Sequence, residues 1–217
     1  MAEIVPAILT NDISDFRKIY AELFSVAHYF KKLHIDFIDG EYLPKKSLMP
    51  KDLVFLKTPL ELMAHFMAYQ PAQYLSEIKE LGFKWAIFSY EAFKDDSELE
   101  QTLDRANKLW LYTGISLNPE TPVSVITPLL KKVNVIQLMG IHPGAQGRTF
   151  DENTISKIKE LSMANLKLSI SVDGGIKVGN AGRCVKAGAE YLIAGSSIMR
   201  SEDKGMAIEL LLADMAG

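Results

Sequence analysis

The sequence predicts a (β/α)8 TIM barrel with its active site on the C-terminal face, and three observations carry that expectation. Eight short apolar runs alternate with eight helical patterns along 217 residues, about the length such a barrel takes. The runs are nearly continuous in apolar character, as strands are in a parallel sheet covered by helices. Polar groups enter them near their C-terminal ends, where parallel α/β folds place ligands. An open doubly wound sheet is the alternative arrangement. No low-complexity linker, charge block or long structureless gap divides the chain, so a single domain over residues 1–217 is expected.

The elements follow in order. Ile4 to Leu9 is the first strand; Thr10-Asn11-Asp12 caps a helix to about Ala27, whose stripe is Phe16, Ile19, Tyr20 and Leu23. Leu33 to Ile38 alternates so that Leu33, Ile35 and Phe37 face one way and His34, Asp36 and Ile38 the other, before the turn signal Asp39-Gly40. A loop from Glu41 to Pro50 and a weak helix at Lys51 to Lys57 lead to the strand Leu60 to Met67. Pro71 opens a helix over Ala72 to Leu81, ended by Gly82, and Lys84 to Ser89 is the fourth strand. Asp95-Asp96-Ser97 caps a charged helix to Lys108, and Trp110 to Leu117 is the fifth strand. A short helix over Thr121 to Leu130, interrupted by Pro128, precedes the strand Val133 to Met139. After the glycine-rich loop Gly140 to Thr149 come a helix to Met163 and the strand Lys167 to Val172, ending in Asp173-Gly174-Gly175. A helix over Lys177 to Ala187, the strand Tyr191 to Ala194 and a helix over Ser201 to Met215 complete the series.

In a barrel all strand ends converge on one mouth, so His34, Asp36, His65 and Asp173 should meet there. On the second strand alone, a core His–Asp hydrogen bond is the plainer reading. Two imidazoles and two carboxylates together suit one borderline divalent ion: Zn, Fe, Mn or Co. Of the other histidines, His28 reads as a surface residue, and His142 meets either substrate or solvent. Gly174-Gly175 and Gly195-Ser196-Ser197 follow strands seven and eight, where this fold binds phosphate on backbone N–H groups. The loop with His142, Gly144, Gly147 and Arg148 offers further amides and a cation.

Composition narrows the field. Hydrophobic residues at 48% and charged residues at 24% are ordinary for a globular protein. A net charge of -3, with no long basic run, argues against non-specific nucleic-acid binding. No apolar run approaches membrane-spanning length, and the N-terminal segment lacks the basic and long apolar regions of a signal peptide. The single cysteine, Cys184, permits no intramolecular disulfide, which suits a cytoplasmic protein. No G-x-G-x-x-G motif is present.

Pro6-Ala7-Ile8-Leu9, His34-Ile35-Asp36-Phe37-Ile38-Asp39-Gly40, Ala64-His65-Phe66-Met67, Leu117-Asn118-Pro119-Glu120-Thr121-Pro122, Leu138-Met139, His142-Pro143-Gly144, Val172-Asp173-Gly174-Gly175-Ile176 and Ala194-Gly195-Ser196 occur in that order. Taken together they resemble the ribulose-phosphate 3-epimerase family from Pro6 to about Ile198. The resemblance implies a metal held by His34, Asp36, His65 and Asp173. It also implies that Asp36 and Asp173 exchange a proton with C3 of a ketopentose phosphate from opposite faces, with Met67 and Met139 over the planar intermediate. The implied activity interconverts D-ribulose 5-phosphate and D-xylulose 5-phosphate, with a small-molecule ketose phosphate as partner and a homo-oligomer expected. A related hexulose phosphate, or a lapsed sugar-phosphate-binding paralogue, are the alternatives.

This chain departs from the family's usual residues at Ala7 (serine), Lys45 (asparagine) and Ser89 (histidine). Its loop reads Gly144-Ala145-Gln146-Gly147-Arg148 where the family's usually reads G-F-G-G-Q. The departures concern substrate recognition and leave the four metal-type groups in place.

Overall fold

In the computed structural model, which describes residues 2–144, 149–164 and 167–217, eight parallel strands close into a barrel. They are β1 (Glu3–Ile8), β2 (Lys32–Ile38), β3 (Glu61–Met67), β4 (Trp85–Ser89), β5 (Tyr112–Leu117), β6 (Val135–Met139), β7 (Ser169–Asp173) and β8 (Tyr191–Ala194). Each strand pairs with the next in sequence, and β8 closes on β1 through Glu3–Tyr191 to Pro6–Ala194. The closed ladder satisfies every strand edge, and the open-sheet alternative is excluded.

The α-helices are α1 (Ile13–Ser25), α2 (Leu75–Glu80), α3 (Asp96–Lys108), α4 (Asn153–Met163), α5 (Ala181–Ala187), α6 (Ser196–Met199) and α7 (Lys204–Ala216). Asp12, Asp95 and Asp203 cap α1, α3 and α7 by accepting backbone N–H groups of the first turn. Several predicted helices change character where proline intervenes. Thr121 to Leu130 becomes a 3-10 helix over Val123–Lys132, since Pro128 supplies no N–H to an α ladder. The weak helix at Lys51 to Lys57 shrinks to a 3-10 turn, Pro50–Leu53, and the one opened by Pro71 starts as 3-10 over Pro71–Tyr74. The fifth strand starts at Tyr112, because Trp110 turns the chain with φ of 58°. The helix expected from Lys177 starts only at Ala181, after Asn180 has closed the turn with bonds to Lys177 N–H and Gly175 C=O.

Two cores result from the alternation of side chains. Outward residues such as Leu33, Ile35, Phe37 and Phe66 pack against the helices, among them Leu99 and Leu103 of α3 and Ile158 of α4. Inside the barrel, Val5, Met63, Ile87, Val135 and Ile193 form an apolar middle. Below it Trp85, Tyr112 and Tyr191 pack together, and Lys32 pairs with Glu3 at 2.9 Å. Above it the interior turns polar.

Phe66 anchors the outer core, stacked on Phe37 at 5.2 Å and Phe88 at 6.0 Å between ring centroids. Phe66→Ala should lower the unfolding free energy by about 3–5 kcal/mol, read as a lower urea midpoint at unchanged slope. A loss below about 1 kcal/mol would mean that these rings do not pack as described.

Candidate active site

The polar layer is set by register. Asp36 on β2 lies directly beside His65 on β3, and Asp173 on β7 lies beside Met139 on β6. His34, one pleat below Asp36, points the same way. His65 Nδ1 lies 3.0 Å from Asp36 Oδ1 and 3.2 Å from Asp173 Oδ2, bridging the two carboxylates. His34 Nδ1 stands 3.6 Å from Asp36 Oδ1, and its Nε2 3.9 Å from Asp173 Oδ2. One ligand atom from each of the four residues lies within 4.8 Å of the others, and all four residues are buried.

His34 is the informative member. Its two ring nitrogens are buried and, among the described residues, neither makes a hydrogen bond of good geometry, although the Gln137 amide lies close enough to favour the charged ring. An unpaired buried polar atom costs roughly 1–3 kcal/mol, so a fully buried imidazole with none points to a ligand that completes it. Two carboxylates and two imidazoles, with this nitrogen unsatisfied, fit a divalent cation.

The charge pattern agrees. Burial alone would push His65 down, but its hydrogen bonds to Asp173 and Asp36 and their negative charges outweigh burial and raise its pKa to about 9. Burial pushes His34 down, against the pull of Asp36 and Asp173. Burial works upward on Asp173, yet its interactions with His34 and His65 carry it below the usual carboxylate value. Without a cation, the proton on His65 is what lets two carboxylates share the space.

Backbone anchors surround the cluster. Ser47 accepts the Ile38 N–H and donates to the Asp36 carbonyl, holding β2 where it carries Asp36. Asp39 accepts the N–H groups of Glu41, Tyr42 and Tyr69, joining the loops after β2 and β3. His65 Nε2 meets Ser116 Oγ at 2.9 Å, and Ser116 donates to Ser89 Oγ at 3.3 Å. Lys157, nearly buried, donates to the carbonyls of Asn118 and Pro119 and pins the loop after β5.

Asp36 and Asp173 open onto a small pocket at the strand ends. Met67, Met139, Gly144, Gly174, Gly175, Gly195 and Ser196 line it, as do Ala7, Leu9, Ile141, Pro143 and Ile176. Gly174 and Gly175 take φ of 91° and 73°, and a Cβ at Gly174 would fall 2.5 Å from Ile141 Cγ1. A side chain there would strain the backbone and crowd the wall.

Not every predicted residue converges. His142 is exposed, 3.5 Å from Glu120, and lies off the cavity lining, as does exposed Lys45. His28 is exposed as expected. Gly147 and Arg148, with Gln146, lie outside the described residues. The sequence reading passed over Ser116 and Gln137, each a lone polar residue between apolar neighbours in a buried strand, and that interruption was the available signal.

A closed parallel barrel with a buried His–Asp cluster beside a glycine-bordered cavity at its strand ends defines a (β/α)8 enzyme. Within that class, the chain belongs to the ribulose-phosphate 3 epimerase family, matched over residues 3–199, and is a sugar-phosphate epimerase. It is 30% identical over 222 residues to the ribulose-phosphate 3-epimerase of Bacillus subtilis, covering 96% of this chain and 97% of that one. It is 25% identical over 206 residues to that of Schizosaccharomyces pombe, covering 93% and 88%. Among solved structures, the tryptophan synthase α-subunit of Pyrococcus furiosus superposes with a TM-score of 0.74 at 11% identity, covering 99% of this chain and 98% of that one, a likeness of fold. No helix among the described residues is long and apolar enough to cross a membrane.

With no cation bound, the raised pKa of His65 contributes stability that is fully present below about pH 6.5 and lost as pH rises toward about 9. Chelator-treated protein should therefore lose stability across that window, by up to about 3 kcal/mol, and His65→Gln should flatten the profile. A urea midpoint independent of pH in the unsubstituted, cation-free protein would overturn this.

Proposed function

We propose that this epimerase interconverts D-ribulose 5-phosphate and D-xylulose 5-phosphate, using two carboxylates and a divalent ion. The observation that carries the proposal is the cluster itself: two aspartates, 7% exposed each, lining one cavity beside a histidine whose ring nitrogens lack a well-formed hydrogen bond among the described residues.

Epimerisation beside a ketone requires a C–H proton to leave one face of C3 and another to arrive on the opposite face. Asp36, on β2, and Asp173, on β7, border the cavity from separate strands, so one can take the proton and the other deliver one. Reversing the roles serves the reverse reaction. Zn, Fe, Mn or Co held by His34, Asp36, His65 and Asp173 would supply positive charge that stabilises the enediolate. Met67 and Met139 give the planar intermediate an apolar, polarisable wall, and the backbone of Gly174, Gly175, Gly195 and Ser196 takes the phosphate. Gly144 and Pro143 border the same cavity, and we propose that Gly147 and Arg148, which follow them in sequence, contribute to phosphate binding, with His142 outside the lining.

Purified protein supplied with each ion in turn should convert ribulose 5-phosphate and, in D₂O, place deuterium at C3. Asp36→Asn and Asp173→Asn should each lower kcat at least about 10²-fold. His34→Ala and His65→Ala should deplete bound metal. Near-normal rates in both Asn variants would refute the two-carboxylate mechanism. Faster turnover of a hexulose 6-phosphate would reassign the substrate, and absence of turnover with any ketose phosphate would leave a binding protein.

A further inference from the structure

Gln137 sits on β6 with its side chain fully buried inside the barrel, between inward-facing Val135 below and Met139 above. An amide there is expensive, because burying its polar atoms without partners costs more than an apolar residue of the same length. It is only partly satisfied. Nε2 donates to Asp173 Oδ2 at 3.0 Å, while Oε1, among the described residues, makes no hydrogen bond of good geometry and the amide only weakly favours the charged His34 ring. Ser171, its register partner on β7, is likewise buried with an unpaired hydroxyl.

The bonded oxygen matters. Asp173 Oδ2 is the one that approaches His65 Nδ1 at 3.2 Å and His34 Nε2 at 3.9 Å. Among the described residues, Asp173 Oδ1 accepts no hydrogen bond, and Asp173 lines the cavity. Asp36 has no such amide: His65 reaches its Oδ1, and Ser47 holds its main chain.

We infer that Gln137 is a positioning residue for Asp173, holding Oδ2 on the ligand cluster and leaving Oδ1 to the substrate. Hydrogen-bond partners of metal ligands commonly matter by about 10- to 100-fold in affinity or activity. The amide acts on one carboxylate alone, so its loss should unbalance the two faces of the reaction. The part concerning turnover rests on the proposed epimerisation; the part concerning the metal does not.

The test uses Gln137→Met, which keeps length and removes the donor, with Gln137→Leu as a second variant should the first not fold. Zn²⁺ affinity, measured by chelator competition, should fall about 10- to 100-fold. In an Asp173→Ala background, the same change should have a much smaller effect, because the amide then has no carboxylate to hold and only its weak influence on His34 remains. In D₂O, early in the reaction, the ratio of C3-deuterated starting sugar to product should shift in opposite directions from the two epimers. A general loss of packing would slow both directions alike.

Unchanged Zn²⁺ affinity, a full additive loss in the Asp173→Ala background, or an unshifted deuterium ratio in an active enzyme would each overturn the inference. If the unsubstituted protein epimerises nothing, the proposed reaction fails, and the Zn²⁺ measurements still decide the role of Gln137.

Discussion

Two carboxylates and two imidazoles in a space under 5 Å across are the constraint on which this structure depends. Like charges at such spacing repel strongly in a medium from which water is excluded, so the barrel can hold both aspartates ionised only beside positive charge. His65 provides it by bridging Asp36 and Asp173 with one ring nitrogen. That arrangement still leaves His34 without a well-formed hydrogen bond among the described residues, a defect that protonation does not repair, since burial holds its pKa down. A bound divalent ion would remove both problems at once, replacing the proton on His65 and engaging His34. The same positive charge that steadies the cluster would then be available to an enediolate.

The surroundings are arranged to make that geometry stiff. β2 is buried along its whole length and locked to β3 over seven paired residues, so Asp36 and His65 cannot slip past each other. Ser47 and Asp39 fasten the strand end and its loops through the backbone. The inner side chains change from aromatic below, through aliphatic, to polar above. The apolar middle closes the barrel beneath the cluster, leaving the cavity at the strand ends as its opening. Low surrounding polarity strengthens each hydrogen bond to a ligand, and it makes an imperfect one more costly.

What the sequence made legible follows from this organisation. His34, Asp36, His65 and Asp173 stood out because polar and charged groups in buried strands require a reason, and the closed barrel brings all four together. The 3-10 segments were harder. Val123–Lys132 has the apolar spacing of a helix, and only the missing N–H of Pro128 decides against an α ladder. Ser116 and Gln137 were harder again, since a single hydroxyl or amide in an apolar run has no periodicity. Its meaning depends on what the neighbouring strands place opposite it. His142 illustrates the converse: proximity to Pro143 and Gly144 in sequence did not bring its ring to the cavity wall that they form.

This contrast separates the two halves of the site. Metal-type chemistry resides in side chains on rigid strands, where any substitution would leave a buried charge or nitrogen stranded. Recognition around the glycines, as proposed, would rely on backbone N–H groups; what the structure gives is the close approach that a missing side chain permits, as Gly174 against Ile141 shows. Backbone recognition would tolerate change in nearby side chains, so departures from the family's usual residues can coexist with an intact cluster. Ala7 lines the cavity as a methyl group, and Leu9 and Ile176 extend that apolar surface. A hydroxylated substrate held there gains less polar contact from β1 than a serine would offer. Under the proposed reaction, its orientation would depend correspondingly more on the carboxylates and on a phosphate held at the glycines. Discrimination among ketose phosphates would then be set by the distance between those two fixed points, a property of the barrel frame more than of any one rim residue.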